Sequence, residues 1–214
     1  MRLTPDLILQ AYANGCFPMA DARDSADQAF YHPIQRGVFD LNQVRVPRRL
    51  ARRLRGHPFT FAINQDFAAI VAACADTPRA HEAGTWINGE IERVFTDLHA
   101  LGHAHCLGAY DNEGRLVGGL YGLHMGSLFF GESMFSHATD ASKACLVALF
   151  AALKRVGFRY VDAQMPNAHL SQFGLENWPN ERFLKVLEEG LKQWLPFPRE
   201  INAEDLEAFL LRPS

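Results

Sequence analysis

An α+β fold with a mixed, largely antiparallel sheet is predicted by three features of this chain. HCLGAYD (105–111), NEG and RLVGGLYGLHMG (115–126) read as a hairpin that runs on into SLFFGES (127–133). Residues 140–156 carry a strong helical pattern with Ala144, Leu146, Val147, Leu149, Phe150 and Leu153 on the apolar side. FRYVDAQM (158–165) then reads as a strand, so strands that pair locally are followed by a helix and a further strand.

The other elements follow from caps, breakers and periodicity. Residues 3–14 predict a helix, with Thr4 as N-cap, Pro5 at the first helical position, a Leu7, Ile8, Ala11, Tyr12 stripe and Gly15 at the end. Residues 16–40 read as irregular, with Pro18, Pro33 and the polar run DARDSADQ. PRRLARRLR (47–55) predicts a second helix that puts Arg48, Arg49 and Arg52 on one face and Leu50 and Leu54 on another. FTFAI (59–63) reads as a strand, and 65–74, 88–101 and 180–194 as amphipathic helices. Asp140 is the expected cap of the long helix. A boundary near Gly56 divides the chain into a small N-terminal domain, 1–56, carrying the arginine-rich helix, and a larger domain, 57–214.

Composition narrows the function classes. At 214 residues, 48% hydrophobic and 21% charged, the chain has ordinary globular composition. No segment is long and apolar enough to span a bilayer, and no signal peptide is recognisable, so a cytoplasmic protein is expected. Cys16, Cys74, Cys106 and Cys145 form no CxxC pair and are expected to be reduced thiols. The net charge is −3, yet residues 41–58 hold six arginines and no acid. Such a patch on an acidic protein is either a phosphate-binding footprint or a solvated helix face.

Two places suggest chemistry. Asp162 and Gln164 stand at alternate positions of FRYVDAQM and so share a strand face, where the carboxylate can accept from the amide and leave its oxygen free for an amine. A wet strand end is the plainer reading. Glu132 sits between Gly131 and Ser133 at the end of an aromatic strand, an expensive place for an acid unless it is paired or working. It can hold a cationic amine or a ribose hydroxyl, or simply pair with Lys143 or a backbone amide. His99, His103 and His105 straddle a helix end and a strand and give no common face, so no metal is expected. Neither GxxxxGK[ST], GxGxxG nor GxSxG occurs.

YANGCFPM (12–19), GTWI (84–87), LHALGHAH (98–105), LVGGLYG (116–122), GESMFS (131–136), ASKACL (141–146) and DAQ (162–164) with His169 downstream resemble, in family order, leucyl/phenylalanyl-tRNA–protein transferase. The resemblance implies an acetyltransferase-like (GNAT-like) domain after the small N-terminal one. It implies transfer of Leu, Phe or Met from aminoacyl-tRNA to the N-terminal Arg or Lys of a protein, producing an N-degron. The donor is a tRNA ester, with no further cofactor and no [QR]xxGx[GA] coenzyme A loop, and a monomer is expected. In this pattern Asp162 orients Gln164, and Gln164 draws the proton from the acceptor amine. Glu132 contacts the acceptor or the terminal adenosine, and Trp86 stacks on the adenine or walls the site. Leu120, Phe129, Leu146 and Leu149 line the donor side-chain pocket, and Arg45, Arg48, Arg49, Arg52 and Arg53 hold acceptor-stem phosphates.

This chain departs from the family where His-Ser-x-Glu-x-Trp becomes His105-Cys106-Leu107-Gly108-Ala109-Tyr110, and where a tyrosine becomes Phe95. WxxP appears as Tyr31-His32-Pro33, and Ser-Leu-Gly-Ala after the downstream histidine as Ser171-Gln172-Phe173-Gly174-Leu175. A related transferase with another amine acceptor, a thioester-dependent acetyltransferase and a non-catalytic tRNA or degron binder are the competing readings.

Overall fold

The computed structural model describes residues 2–25, 27–77 and 85–211. Helix α1 (Pro5–Ala13) starts as its sequence demands, with Thr4 Oγ1 accepting from Leu7 N and proline in the first turn. The following segment, expected to be irregular, instead holds three strands: β1 (Phe17–Ala20), β2 (Gln28–Tyr31) and β3 (Gln35–Asp40). β1 and β2 pair with each other as a separate two-stranded ribbon. After α2 (Arg48–Leu54) come β4 (Thr60–Ile63), α3 (Phe67–Ala75) and α4 (Gly89–Ala100). The meander β5 (Ala104–Tyr110), β6 (Leu116–Met125) and β7 (Leu128–Ser136) leads to α5 (Ala141–Arg155) and β8 (Tyr160–Asp162). The chain ends with α6 (Ala168–Ser171), β9 (Glu176–Pro179), α7 (Asn180–Leu191) and α8 (Ala203–Leu210). Of these, α6, β9 and α8 were not foreseen from the sequence.

The main sheet has seven strands in the order β4-β5-β6-β7-β8-β3-β9, and all neighbours are antiparallel except β7 and β8. This is the α+β, largely antiparallel arrangement that the hairpin–helix–strand pattern predicts. β3, supplied by residues 1–56, is hydrogen-bonded on both sides by strands from 57–214. The strand predicted over 158–165 stops at Asp162. Asp140 does precede α5, but with φ +65 and no side-chain capping bond; its carboxylate pairs with Lys143 at 3.1 Å.

Each face of the sheet has its own core. On one, α5 is packed with Leu50, Ala51 and Leu54 of α2 and Leu206, Phe209 and Leu210 of α8. Twelve of the fifteen α5 residues are buried, which a helix attains only when covered on most sides. On the other face lie Ile8 and Tyr12 of α1, Phe67 and Ile70 of α3, Ile91 and Phe95 of α4, and Phe183 and Leu187 of α7. Burying a Leu or Phe of this kind stabilises by roughly 1.5–3 kcal/mol.

One irregularity positions the site. Tyr121 pairs with Ser133 and Gly122 with Gly131, so Glu132 is the extra residue of a β-bulge in β7. The bulge inverts the alternation: Phe130 and Phe135, five positions apart, both enter the α1/α3/α4/α7 core. Gly122, opposite the bulge, is required by close approach, because a Cβ there would lie 2.2 Å from Phe130 O and 2.4 Å from the Phe129 ring. Gly122→Ala is therefore expected to cost about 1–3 kcal/mol and lower the thermal midpoint by about 2–10 °C. Gly89→Ala, where nothing lies within 4 Å of the added methyl, serves as the neutral comparison in the same calorimetric scan. Equal midpoints for the two variants would contradict the tight packing at Gly122.

Candidate active site at the parting of two strands

The parallel strands β7 and β8 pair only through Leu128↔Tyr160, Phe129↔Val161 and Phe130↔Asp162. Beyond that point β7 continues through its bulge, while the chain after β8 stays with β3: Ala163 N donates to Gly37 O at 2.8 Å and Gly37 N to Gln164 O at 3.0 Å. A cavity of about 790 Å³ occupies the parting. It is lined by Trp86, Leu120, Phe129, Glu132, Leu146, Leu149, Asp162 and Gln164, so all eight predicted catalytic and substrate-binding residues meet there. His169 and Met165 join them at the α6 end.

Asp162 is held differently from the expectation. Its carboxylate makes a bidentate pair with Arg36, Nε to Oδ1 at 2.9 Å and Nη2 to Oδ2 at 2.6 Å, with both side chains buried. Arg36 also donates to Gly15 O at 2.8 Å, and its guanidinium lies 4.4 Å from the centre of the Phe183 ring. The remaining capacity of Asp162 Oδ1 goes to the backbone N of Gln164 at 2.8 Å, not to the Gln164 side-chain amide. Gln164 lies past the end of β8, in the left-handed region at φ +64. Asp162 thus fixes a strained turn that presents Gln164, rather than gripping its amide from the same strand face.

Glu132 is not paired with Lys143, which belongs to Asp140. Instead Tyr12 Oη donates to Glu132 Oε1 at 2.7 Å, linking α1 to the bulge. Glu132 Oε2 and Gln164 Nε2 are both buried, and neither has an aligned hydrogen bond. The Gln164 amide is still close enough to favour the ionised carboxylate. Burial dominates and pushes the Glu132 carboxyl up to about 7; Tyr12 and Gln164 oppose the rise, Asp162 adds to it, and Arg36 opposes it.

The apolar half of the cavity belongs to one core. Leu120, Phe129, Leu146 and Leu149 all pack with α5. Trp86 belongs to the opposite core, and its backbone O accepts from Ala20 N at 3.0 Å. Gly84 of the GTWI motif lies outside the described residues. Arg45, Arg48, Arg49, Arg52 and Arg53 do not line the cavity; all five are exposed, on and just before α2. Arg53 is 3.8 Å from Asp140, and Arg45 N is bonded to Phe173 O just after α6, which ties the start of the patch to the cavity's rim.

Sequence reasoning missed Arg36 and Tyr12. Tyr12 stands inside the YANGCFPM motif, which could have flagged it; an Arg at position 36 whose partner is 126 residues away leaves no local signal. The departures at Phe95, Gly108 and Tyr110 are not among the lining residues. Gly108 has no room for a larger residue, since a Cβ there would meet the Tyr110 ring at 2.9 Å, and Tyr110 Oη donates to Asp66 at 2.9 Å. These changes fall on α4 and on the first strand of the meander rather than on the cavity wall.

The family model for leucyl/phenylalanyl-tRNA protein transferase matches residues 38–188, and that for its N-terminal domain matches residues 1–28. The chain is 48% identical over 190 residues to the leucyl/phenylalanyl-tRNA–protein transferase of Cereibacter sphaeroides strain ATCC 17023, covering 89% of this chain and 86% of that one. It is 44% identical over 191 residues to that of Ruegeria pomeroyi, covering 89% and 88%. Against that of Rhodopseudomonas palustris it is 39% identical over 215 residues, covering 98% and 95%. The solved structure of L-PGS from Bacillus licheniformis superposes with a TM-score of 0.45 at 12% identity, over 97% of this chain and 71% of that one, a likeness too loose to bear on activity. A family model matched over residues 38–188 and relatives 39–48% identical over most of their own length mean that the chain belongs to the leucyl/phenylalanyl-tRNA protein transferase family.

Proposed function

We propose that the chain transfers Leu, Phe or Met from aminoacyl-tRNA to the N-terminal Arg or Lys of a protein, forming a peptide bond and creating an N-degron. It works as a cytoplasmic monomer with no further cofactor. Among the described residues no helix is long and apolar enough to cross a membrane. The observation that carries the reading is a single cavity with an apolar wall on one side and Glu132, Asp162 and Gln164 on the other.

An aminoacyl ester is already activated, so its aminolysis needs alignment and proton handling rather than a covalent enzyme intermediate. The donor side chain enters between Leu120, Phe129, Leu146 and Leu149. Each methylene there discriminates by only ~1–3 kcal/mol, so several unbranched, γ-branched or aromatic donors fit one pocket. Trp86 offers a flat face to the terminal adenine. The acceptor α-amine, with an ordinary pKa of about 7.7–8.0, is substantially neutral near pH 7.5. The Gln164 carboxamide oxygen accepts a hydrogen bond from that amine and aims its lone pair at the ester carbonyl. The α2 arginines attract the acceptor stem through its phosphates.

The direct test supplies tRNA charged with radiolabelled Leu or Phe and peptides that differ only in their first residue. Incorporation on Arg- and Lys-initiated peptides, and not on Ala-initiated ones, is expected. Gln164→Ala should lower kcat about 10²-fold, and full activity in that variant would refute its role. tRNA binding without turnover on any peptide would identify a binder instead.

Arg48→Ala combined with Arg49→Ala should raise KM for charged tRNA while leaving kcat alone. The slope of log binding against log salt should shrink by about one for each phosphate contact removed. A slope equal to that of the unaltered protein would place the tRNA elsewhere.

Asp162→Ala leaves the Arg36 guanidinium buried and unpaired, at a cost of about 3–5 kcal/mol in urea unfolding. Arg36→Met together with Asp162→Leu should recover stability but not transfer, which separates the structural from the positioning role of the pair.

A further inference from the structure

We propose, on the basis of the aminoacyl-transfer reading above, that Glu132 is the catalytic residue that receives the proton leaving the acceptor amine, and that Tyr12 is the positioning residue that aims it. The geometry divides the carboxylate in two. Oε1 is taken by Tyr12 Oη at 2.7 Å, while Oε2 is buried with no aligned hydrogen bond, the Gln164 amide lying close enough only to favour the ionised form. A buried carboxylate oxygen without an aligned partner is costly, and it is relieved by an N–H donor placed in the cavity. An amine held by Gln164 is such a donor.

His169 stands at the α6 end of the cavity, away from the Tyr12–Glu132 pair, and the groups beside Glu132 are worse proton acceptors. Gln164 offers a carboxamide oxygen, which accepts a hydrogen bond but not a proton near neutral pH. Asp162 has both oxygens committed to Arg36 and one also to Gln164 N. Tyr12 is itself buried, and burial together with Glu132 keeps its hydroxyl protonated, so it stays a donor throughout.

In the step, the neutral amine nitrogen attacks the ester carbonyl carbon. The C–N bond forms as one amine proton passes to Glu132 Oε2. The C–O bond to the ribose then breaks with its electron pair on the ribose oxygen, which takes that proton back from Glu132. The carboxylate is restored, and nothing else is consumed.

Titratable and charged groups face Glu132 from three elements: Tyr12 on α1, Asp162 on β8 and Arg36 on β3. Tyr121 on β6 acts on Tyr12 rather than on Glu132 directly. Burial sets the carboxyl near 7 and the Tyr12 bond holds it down. The sign is therefore fixed: removing the hydroxyl disfavours the ionised form and moves the titration to higher pH.

The experiment compares the full-length protein with Tyr12→Phe and Glu132→Gln. Carbon-13 NMR of protein labelled at the Glu carboxyl follows the resonance that Glu132→Gln removes. Its midpoint is expected near 7 and should rise by about one unit, a tenfold change in acidity, in Tyr12→Phe. The acid limb of kcat/KM for an Arg-initiated peptide should move by the same amount, with KM for charged tRNA unchanged. The peptide is common to all assays, so its own amine cannot cause the displacement. Glu132→Gln should lose at least about 10²-fold in kcat along with that limb. An unmoved limb or midpoint in Tyr12→Phe, or a limb that survives Glu132→Gln, overturns the proposal while leaving transfer established. Absence of transfer by the unaltered protein overturns the transfer reading and this proposal together.

Discussion

The bidentate pair between Arg36 and Asp162 joins more of this molecule than any other polar contact described. It spans β3 and β8, reaches the end of α1 through Gly15 O, and lies against Phe183 of α7. Taking both ions out of water costs several kcal/mol each, recovered only through close geometry and further hydrogen bonds. Here the further bonds are Gly15 O for the guanidinium and Gln164 N for the carboxylate, and each has a structural consequence. One anchors the end of α1 beside the site. The other holds Gln164 in a left-handed turn that its side chain alone would not favour. The pair also cancels the charge of Asp162, so that the carboxylate of Glu132 is the one left to respond to a substrate.

That economy explains why the two acids of the cavity behave differently though they are neighbours. Asp162 is matched by a guanidinium in a fixed fork. Glu132 has no cation of its own: a phenol, a carboxamide and the more distant Arg36 oppose the effect of burial, Asp162 adds to it, and its carboxyl rises to about 7. Two carboxyl groups side by side, one matched and one not, make a site in which a proton can be held on one of them. The β-bulge lets Glu132 reach Tyr12 on the side of Phe130 while Phe135, which a regular strand would send to the opposite core, returns to that same core.

Much of this was legible in the sequence, because it is local. The meander, α5 and the cap of α1 follow from turn residues, periodicity and a Thr-Pro start, and the motif order marked the residues that converge on the cavity. What was not legible is non-local. β3 has the length and mixed polarity of a loop, and only its two neighbours, from far along the chain, make it a strand. Extending β8 to residue 165 assumed that an apolar alternation continues while it can, but the turn at Gln164 ends it because Asp162 offers Gln164 N a better partner than a neighbouring strand. The side-chain pairing of Asp162 with Gln164 failed for the same reason: an arginine 126 residues earlier had already claimed the carboxylate.

The position of the cavity relative to the two cores constrains the order in which substrates meet. Leu120, Phe129, Leu146 and Leu149 lie in the α5 core, whereas Glu132, through Tyr12, and Asp162, through Arg36, are tied to the α1/α7 side. The sheet separates these halves everywhere except where β7 leaves β8. On the proposed reading, a donor side chain seated against α5 and an acceptor amine held near Gln164 and Glu132 bring the ester carbonyl to that opening, beside Gly131. Substitutions that change how far the strands pair should alter alignment before they alter affinity for either substrate.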